Sequence, residues 1–198
     1  MEVLAPDLSF PARSHTFRPD MRNQYDEADV ARMLTHLADA VASQFSPSQP
    51  LNVIGIRTRG ETIAARLAGM LHQRGFTHIG RGVLDITLYR DDLSEIGPRP
   101  LVRPTQITVD IDRVPMLLVD DVIFTGRSVR AALDALSDFG RPSAIRLVVL
   151  VDRGGRELPI QPDIVGLKEP EVPMDHVVKV RLRETDGVDE IVIEKKKT

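Results

Sequence analysis

A mostly parallel α/β sheet flanked by helices is the fold the sequence predicts, on three observations. Short, predominantly apolar runs at Leu51–Ile56, Met116–Val119 and Ala144–Val151 read as buried strands. Segments with helical spacing separate them, and that alternation calls for parallel pairing with right-handed crossovers. The chain has 198 residues, 42% of them hydrophobic and 28% charged, enough to bury a sizeable core.

Residues 1–25 carry Pro, Arg, Ser and Asp without periodicity and are expected to form a mobile extension, with residues 26–198 as one domain. Asp26 caps a helix whose apolar positions Val30, Met33, Leu34, Leu37, Val41 and Phe45 follow helical spacing. Ser46-Pro47-Ser48-Gln49-Pro50 ends it, because neither proline continues a helix. Leu51 to Ile56 is a buried strand, and Glu61 to His72 is a second helix closed by Gly75. Gly82 to Leu88 alternates as a strand does. Arg90 to Thr108 holds charges and three prolines, and reads as a long loop or extended hairpin. The strand beginning at Met116 feeds a helix from Arg127 to Phe139, stopped by Gly140-Arg141-Pro142. After the strand from Ala144 to Val151, Asp152 to Val165 is loop-rich. Two late strands, near Val177–Leu182 and Glu190–Ile193, complete the chain.

Composition removes several function classes. There is no cysteine, which excludes disulfides, thiolate chemistry and cysteine-held zinc and suits the cytoplasm. Net charge is −3, so nothing pulls the chain as a whole toward nucleic acid, and with no Trp base-stacking platforms are scarce. No stretch approaches the roughly 20 apolar residues of a membrane span, and the start does not read as a signal peptide.

The chemistry concentrates in Met116-Leu117-Leu118-Val119-Asp120-Asp121-Val122-Ile123-Phe124-Thr125-Gly126-Arg127-Ser128. A buried strand runs into two adjacent carboxylates, which the pattern places at its carboxyl end, where open α/β sheets bind ligands. Thr125 to Ser128 then set backbone N–H groups and hydroxyls at a helix N-terminus, an anion site. A phosphate cradle beside two acceptors for sugar hydroxyls suits a ribose 5-phosphate. It is not a Walker A loop, since Gly-x-x-x-x-Gly-Lys is absent. A second strand-to-helix junction, Ile54-Gly55-Ile56-Arg57-Thr58-Arg59-Gly60, offers a planar guanidinium for phosphate oxygens, with Gly60 freeing the backbone. Val149-Leu150-Val151-Asp152-Arg153-Gly154 follows a third parallel strand and shares the rim. No Lys or aromatic stands at that strand end to read a purine.

These residues resemble the phosphoribosyl pyrophosphate (PRPP) signature of type I phosphoribosyltransferases. Further motifs extend the resemblance: Gly55-Ile56-x-Thr58-Arg59-Gly60, Asp85 through Ser94, and Gly140-Arg141-Pro142-Ser143 through Val151-Asp152-Arg153-Gly154. Together they look like the family that combines pyrimidine-operon regulation with uracil phosphoribosyltransferase activity, from about Asp26 to the C-terminus. The resemblance implies a type I phosphoribosyltransferase fold with a flexible loop over the active site. It implies conversion of uracil and PRPP to UMP and pyrophosphate, with Mg²⁺, on a homodimer or larger assembly.

It implies residue roles as well. Asp120, Asp121 and Arg90 are the candidate catalytic residues, the two carboxylates holding the ribose hydroxyls. Thr58, Arg59 and Gly60 would take the pyrophosphate, with a cis or strained peptide expected near Arg57–Thr58. Val122, Ile123, Phe124, Thr125, Gly126, Arg127 and Ser128 would take the 5-phosphate side of PRPP. Asp91, Asp92, Leu93 and Ser94 belong to the closing loop, and Val151, Asp152, Arg153 and Gly154 bound the base. No protein metal ligand is implied, since PRPP and water hold most of the Mg²⁺ coordination. Regulatory members also bind a leader RNA through basic residues on the first helix and after Asp-Arg-Gly. Here the first helix carries Asp26, Glu27, Asp29 and Asp39 against Arg32, and expected basic positions hold Asp39, Gly155, Gln161 and Leu167. Lys168, Arg156 and Arg153 remain to compensate. Two rival readings stay open: an RNA-binding regulator with vestigial catalysis, and a transferase for another base such as hypoxanthine or orotate.

Overall fold

The computed structural model describes residues 25–87, 104–170 and 172–196. The expected mobile extension over residues 1–24 and the expected loop residues Arg90, Asp91, Asp92, Leu93 and Ser94 lie outside them. Helix α1 (Glu27–Gln44) begins at a reciprocal cap: Asp29 N–H donates to Asp26 Oδ1 at 2.9 Å and Asp26 N–H to Asp29 Oδ2 at 3.2 Å. Phe45, expected inside this helix, is its extended C-cap. Strand β1 (Leu51–Ile56) follows, then α2 (Arg59–Gln73), β2 (Ile79–Leu84), the short β3 (Gln106–Ile107) and β4 (Met116–Ile123). Helix α3 (Arg127–Leu136), β5 (Ile145–Asp152), β6 (Ile164–Lys168), β7 (His176–Arg181), α4 (Arg183–Asp186) and β8 (Glu190–Lys195) complete the described chain.

Six strands form one sheet in the order β3-β2-β1-β4-β5-β6, parallel throughout except for β3, which pairs antiparallel with β2. Strands β7 and β8 form a separate antiparallel hairpin. Side chains alternate across the sheet and build two cores. Leu117 and Val119 join α1, α2 and the β7–β8 hairpin on one face; Met116 and Leu118 join Val129, Ala132 and Leu136 of α3 on the other. The chain runs from β1 outward to β2 on one side and from β4 to β5 and β6 on the other. The switch point of the sheet therefore lies between β1 and β4.

Four further details differ from the sequence reading. Strand β6 was not expected, because Gly166 breaks its short apolar run. A Cβ at Gly166 would lie 2.8 Å from Leu150 O, so the glycine is what lets β6 pack closely on β5. Strand β2 starts at Ile79 rather than Gly82 and ends at Leu84, since Gly80 and Gly82 mask its period. Helix α3 stops at Leu136, and Ser137 to Phe139 continue as a turn. Tyr25, expected in the mobile extension, is anchored: it bridges Ile191 of β8 and its hydroxyl donates to Glu169. Desolvation and that carboxylate push the phenol well above its ordinary pKa.

Candidate active site

The carboxylates lie inside β4 rather than after it. Strand β4 continues to Ile123, but its pairing with β1 stops at Gly55 opposite Val119, whereas β5 accompanies it to Asp152 opposite Ile123. Asp120 and Asp121 thus stand where pairing to one neighbouring strand has stopped, at the switch point. Each satisfies local backbone: Asp121 N–H donates to Asp120 Oδ1 and Val122 N–H to Asp121 Oδ1, both at 2.9 Å. Asp120 is 7% exposed, and burial followed by the neighbouring charge of Asp121 raises its pKa well above the ordinary carboxylate value. Burial also raises Asp121, while the Val122 N–H and the Arg59 guanidinium pull it back. Two adjacent acids are thus held in a place that penalises their charge.

Across the switch point, β1 turns into α2 through Arg57–Gly60, and the Arg57–Thr58 peptide bond is cis, as expected. The role of Gly60 differs from the expectation. It sits inside α2, not in a left-handed turn, and a Cβ there would lie 2.4 Å from Val119 O and 3.1 Å from Asp120 Cα. Gly60 supplies space, not backbone freedom. It lets the positive end of α2 close onto the strand carrying the carboxylates. Arg57 is pinned by its N–H to Leu84 O at 2.9 Å and faces Glu61 at 3.5 Å.

The turn after β4 holds Gly126 with φ +92°, a conformation that favours glycine, at the N-cap of α3. No side chain caps the helix from that position. Arg127 N–H donates to Thr125 Oγ1 at 3.3 Å, and Thr125 O accepts from Glu157 and Leu158 N–H at 3.0 and 3.2 Å. The phosphate-type turn is thereby stapled to the segment after β5. Arg127 also pairs with Glu157 at 2.7 Å.

The rim after β5 is held by residues that spacing along the chain does not connect. Arg153 is 4% exposed; its guanidinium lies 4.0 Å from the Phe124 ring centroid and donates to His176 O at 3.0 Å and Pro173 O at 3.2 Å. Arg156 donates to Phe124 O, Gly154 O and Ile160 O at 2.8–3.1 Å and pairs with Asp152 at 2.7 Å. Gly155 has φ +68°, and a Cβ there would strike the Phe124 ring at 2.3 Å. Sequence reasoning assigned Phe124 to the phosphate turn and missed its place under the base-side loop. It also missed Arg156 as the link between the two. No local signal marks the link to Phe124, since Arg153 and Arg156 lie about 30 residues beyond it. Arg153 and Arg156 were candidates to replace missing basic groups on the surface, but both are spent on internal contacts.

Val151, Asp152 and Gly154 reach the rim as expected, with Gly154 N–H donating to Asp152 Oδ1 at 2.9 Å. Among the described residues no three His, Asp or Glu gather as a metal cage. The donor set still fits a hard cation: two adjacent carboxylates whose charge burial disfavours would be relieved by Mg²⁺ held with substrate oxygens.

A carboxylate pair, a facing anion loop and a phosphate-type turn, on one rim of a parallel sheet, define the class of protein. A phosphoribosyl transferase domain model matches residues 23–181. Solved structures share the fold: hypoxanthine phosphoribosyltransferase of Trypanosoma cruzi (TM-score 0.65, 19% identity, 89% of this chain and 97% of that one) and a hypoxanthine-guanine phosphoribosyltransferase of Bacillus anthracis (0.64, 17%, 88% and 98%). Nearer in sequence are proteins named Bifunctional protein PyrR. That of Deinococcus deserti is 51% identical over 163 residues, 82% of this chain and 88% of the relative. That of Chloroflexus aurantiacus is 50% identical over 165 residues, 83% and 90%. The chain belongs to the PyrR family of phosphoribosyltransferases.

Proposed function

We propose that the protein transfers the phosphoribosyl group of PRPP to uracil, giving UMP and pyrophosphate. The observation that carries the reading is the switch point itself, where buried Asp120 and half-buried Asp121 face the Arg57–Gly60 loop and run directly into the Thr125–Ser128 turn. In this reading the carboxylates accept the ribose 2- and 3-hydroxyls, replacing the water they lose on burial. Thr125, Gly126, Arg127 and Ser128 hold the 5-phosphate, and Val122, Ile123 and Phe124 connect that turn to the carboxylates. Thr58, Arg59 and Gly60 hold the pyrophosphate. Uracil N1 bonds to ribose carbon 1 as the bond to pyrophosphate breaks, and the N1 proton passes to solvent water. Asp121 offsets charge that develops at carbon 1. Arg90, with Asp91 to Ser94, closes over the centre and keeps water from capturing it. Mg²⁺, when bound, neutralises the leaving pyrophosphate.

Backbone groups of Val151 to Gly154 read the base. The side chains of Asp152, Arg153 and Arg156 are engaged with one another's loop, which leaves fixed N–H and C=O groups to recognise a small oxo-pyrimidine. The test is a base competition with radiolabelled PRPP and Mg²⁺. Uracil should be used at least about 100-fold more efficiently than hypoxanthine or orotate, in line with discrimination by hydrogen-bonded base sites. Equal use of a purine would overturn the assignment.

The relatives' name, bifunctional, favours a second role beside transfer, and leader-RNA binding is the candidate the family resemblance raises. The surface that role would use is weak here. The acids of α1 are paired, Asp29 with Arg32, Glu27 with Arg183 and Asp39 with Arg74. The cleft of about 720 Å³ between α1 and β6 sets Lys168 and His36 against Asp152 and Asp163. Because phosphate neutralisation supplies most RNA affinity, binding to the leader upstream of the protein's own gene should vanish at physiological salt, with or without UMP. Tight, UMP-enhanced binding in a filter assay across a salt series would instead establish the regulatory role.

A further inference from the structure

An arginine of the pyrophosphate loop is held by a carboxylate from the far end of the chain. Arg59 Nη2 donates to Asp186 Oδ1 at 2.9 Å. Asp186 is itself fixed: its Oδ2 accepts the Leu182 N–H at 3.0 Å and the Thr185 hydroxyl at 2.6 Å. These contacts lower its pKa to about 2, with the Thr185 hydroxyl foremost among them, so it is charged at any working pH. Seven residues along α2, and so on the same face, Arg66 clasps Glu184 and Asp189 with four contacts of 2.5–2.8 Å. The C-terminal hairpin is thus riveted to the helix whose first turn closes onto the carboxylates. Of the two arginine contacts, that of Arg59 with Asp186 is the one at the site end.

We propose that Asp186 is a positioning residue for pyrophosphate: by anchoring one edge of the Arg59 guanidinium, it aims the remaining donors at the anion loop. The proposal rests on reading Thr58–Gly60 as the pyrophosphate side. A guanidinium is planar, so fixing one N–H direction orients the others. Arg59 Nε is buried without a hydrogen-bond partner among the described residues, a donor still to be used. The charge of Arg59 is felt at Asp121, so the guanidinium that Asp186 anchors lies within electrostatic reach of the carboxylate pair. Anchoring in advance also removes rotamer freedom that binding would otherwise have to quench.

The experiment is calorimetric titration of the full chain with pyrophosphate plus Mg²⁺, and separately with UMP, alongside steady-state kinetics. Asp186→Asn keeps an oxygen for the Leu182 N–H and removes the charge. It should weaken pyrophosphate binding and raise KM for PRPP by about tenfold, leaving kcat and UMP affinity within about twofold. Glu184→Gln, which weakens the Arg66 clasp alone, should leave pyrophosphate affinity unchanged. In an Arg59→Met background, Asp186→Asn should have no further effect, which separates aiming of Arg59 from general loosening of the hairpin. Unchanged or tighter pyrophosphate binding in Asp186→Asn, or an equal loss in Glu184→Gln, would overturn the proposal. A wild-type chain that binds neither pyrophosphate nor PRPP would overturn the transferase reading, and the proposal with it.

Discussion

Replacing both acids, Asp120→Asn with Asp121→Asn, is expected to make the protein more stable and nearly inactive. The two carboxylates sit side by side, Asp120 buried and Asp121 partly so, and desolvation raises both pKa values. The native state therefore binds more protons than the unfolded chain. The sign follows: below the ordinary carboxylate range, roughly pH 4, both states are protonated and the raised pKa costs nothing. As pH climbs through the elevated native range, stability is lost. Asparagines carry no charge to bury, so the variant should gain about 1–3 kcal/mol near neutrality. For a chain of this size that is a Tm increase of about 2–10 °C. The gain should vanish at pH 4. Transferase activity should fall at least about 100-fold, the usual cost of removing an electrostatic contact to the reacting group. Thermal melts from pH 4 to pH 8, with turnover measured on the same samples, check both halves. Near-normal turnover would end the assignment of these residues, and a melt unchanged across the series would refute the burial argument.

Gly60→Ala is expected to be the most damaging single methyl addition in α2. In an exposed helix interior, Gly→Ala stabilises by about 1 kcal/mol. Gly69 of the same helix is such a site, with nothing within 4 Å of the added Cβ, so Gly69→Ala should raise Tm by a few degrees. At Gly60 the same methyl meets backbone, Val119 O at 2.4 Å and Asp120 Cα at 3.1 Å. Backbone at the centre of a sheet cannot swing aside as a side-chain tip can. The clash should cost about 1–3 kcal/mol or more and push α2 away from the carboxylates. KM for PRPP should rise at least tenfold, because the loop proposed to hold pyrophosphate moves with the helix. Differential scanning calorimetry of the two variants together decides the matter. Gly60→Ala melting above wild type would show that α2 does not close on β4 as described.

Both substitutions show where the sequence was informative. Asp120, Asp121 and the Thr125–Ser128 turn were legible because their chemistry is local. An apolar strand, two acids and a glycine turn before a helix occur within one short run, and each residue acts on its immediate backbone. The anion loop at Arg57–Gly60 was legible for the same reason, although the purpose of Gly60 was not. Its neighbour Val119 is far along the chain and meets it only when β1 and β4 pair.

Apolar patterning and turn chemistry were thus enough to read the parallel α/β class, the strands of its centre and the carboxylate pair and turns proposed to meet ribose and phosphate. Those follow from apolar periodicity and from turn chemistry, which act over a few residues. Folding in three dimensions was needed to show that β4 keeps its pairing with β5 after its pairing with β1 stops, which puts its acids at the switch point. It alone turned Arg153 and Arg156 inward against Phe124 and Asp152, removing them from the surface. It alone brought Asp186 to Arg59, 127 positions apart. Long-range pairing leaves no trace in local spacing, because a carboxylate and a guanidinium can meet at any separation once strands and helices bring their backbones together.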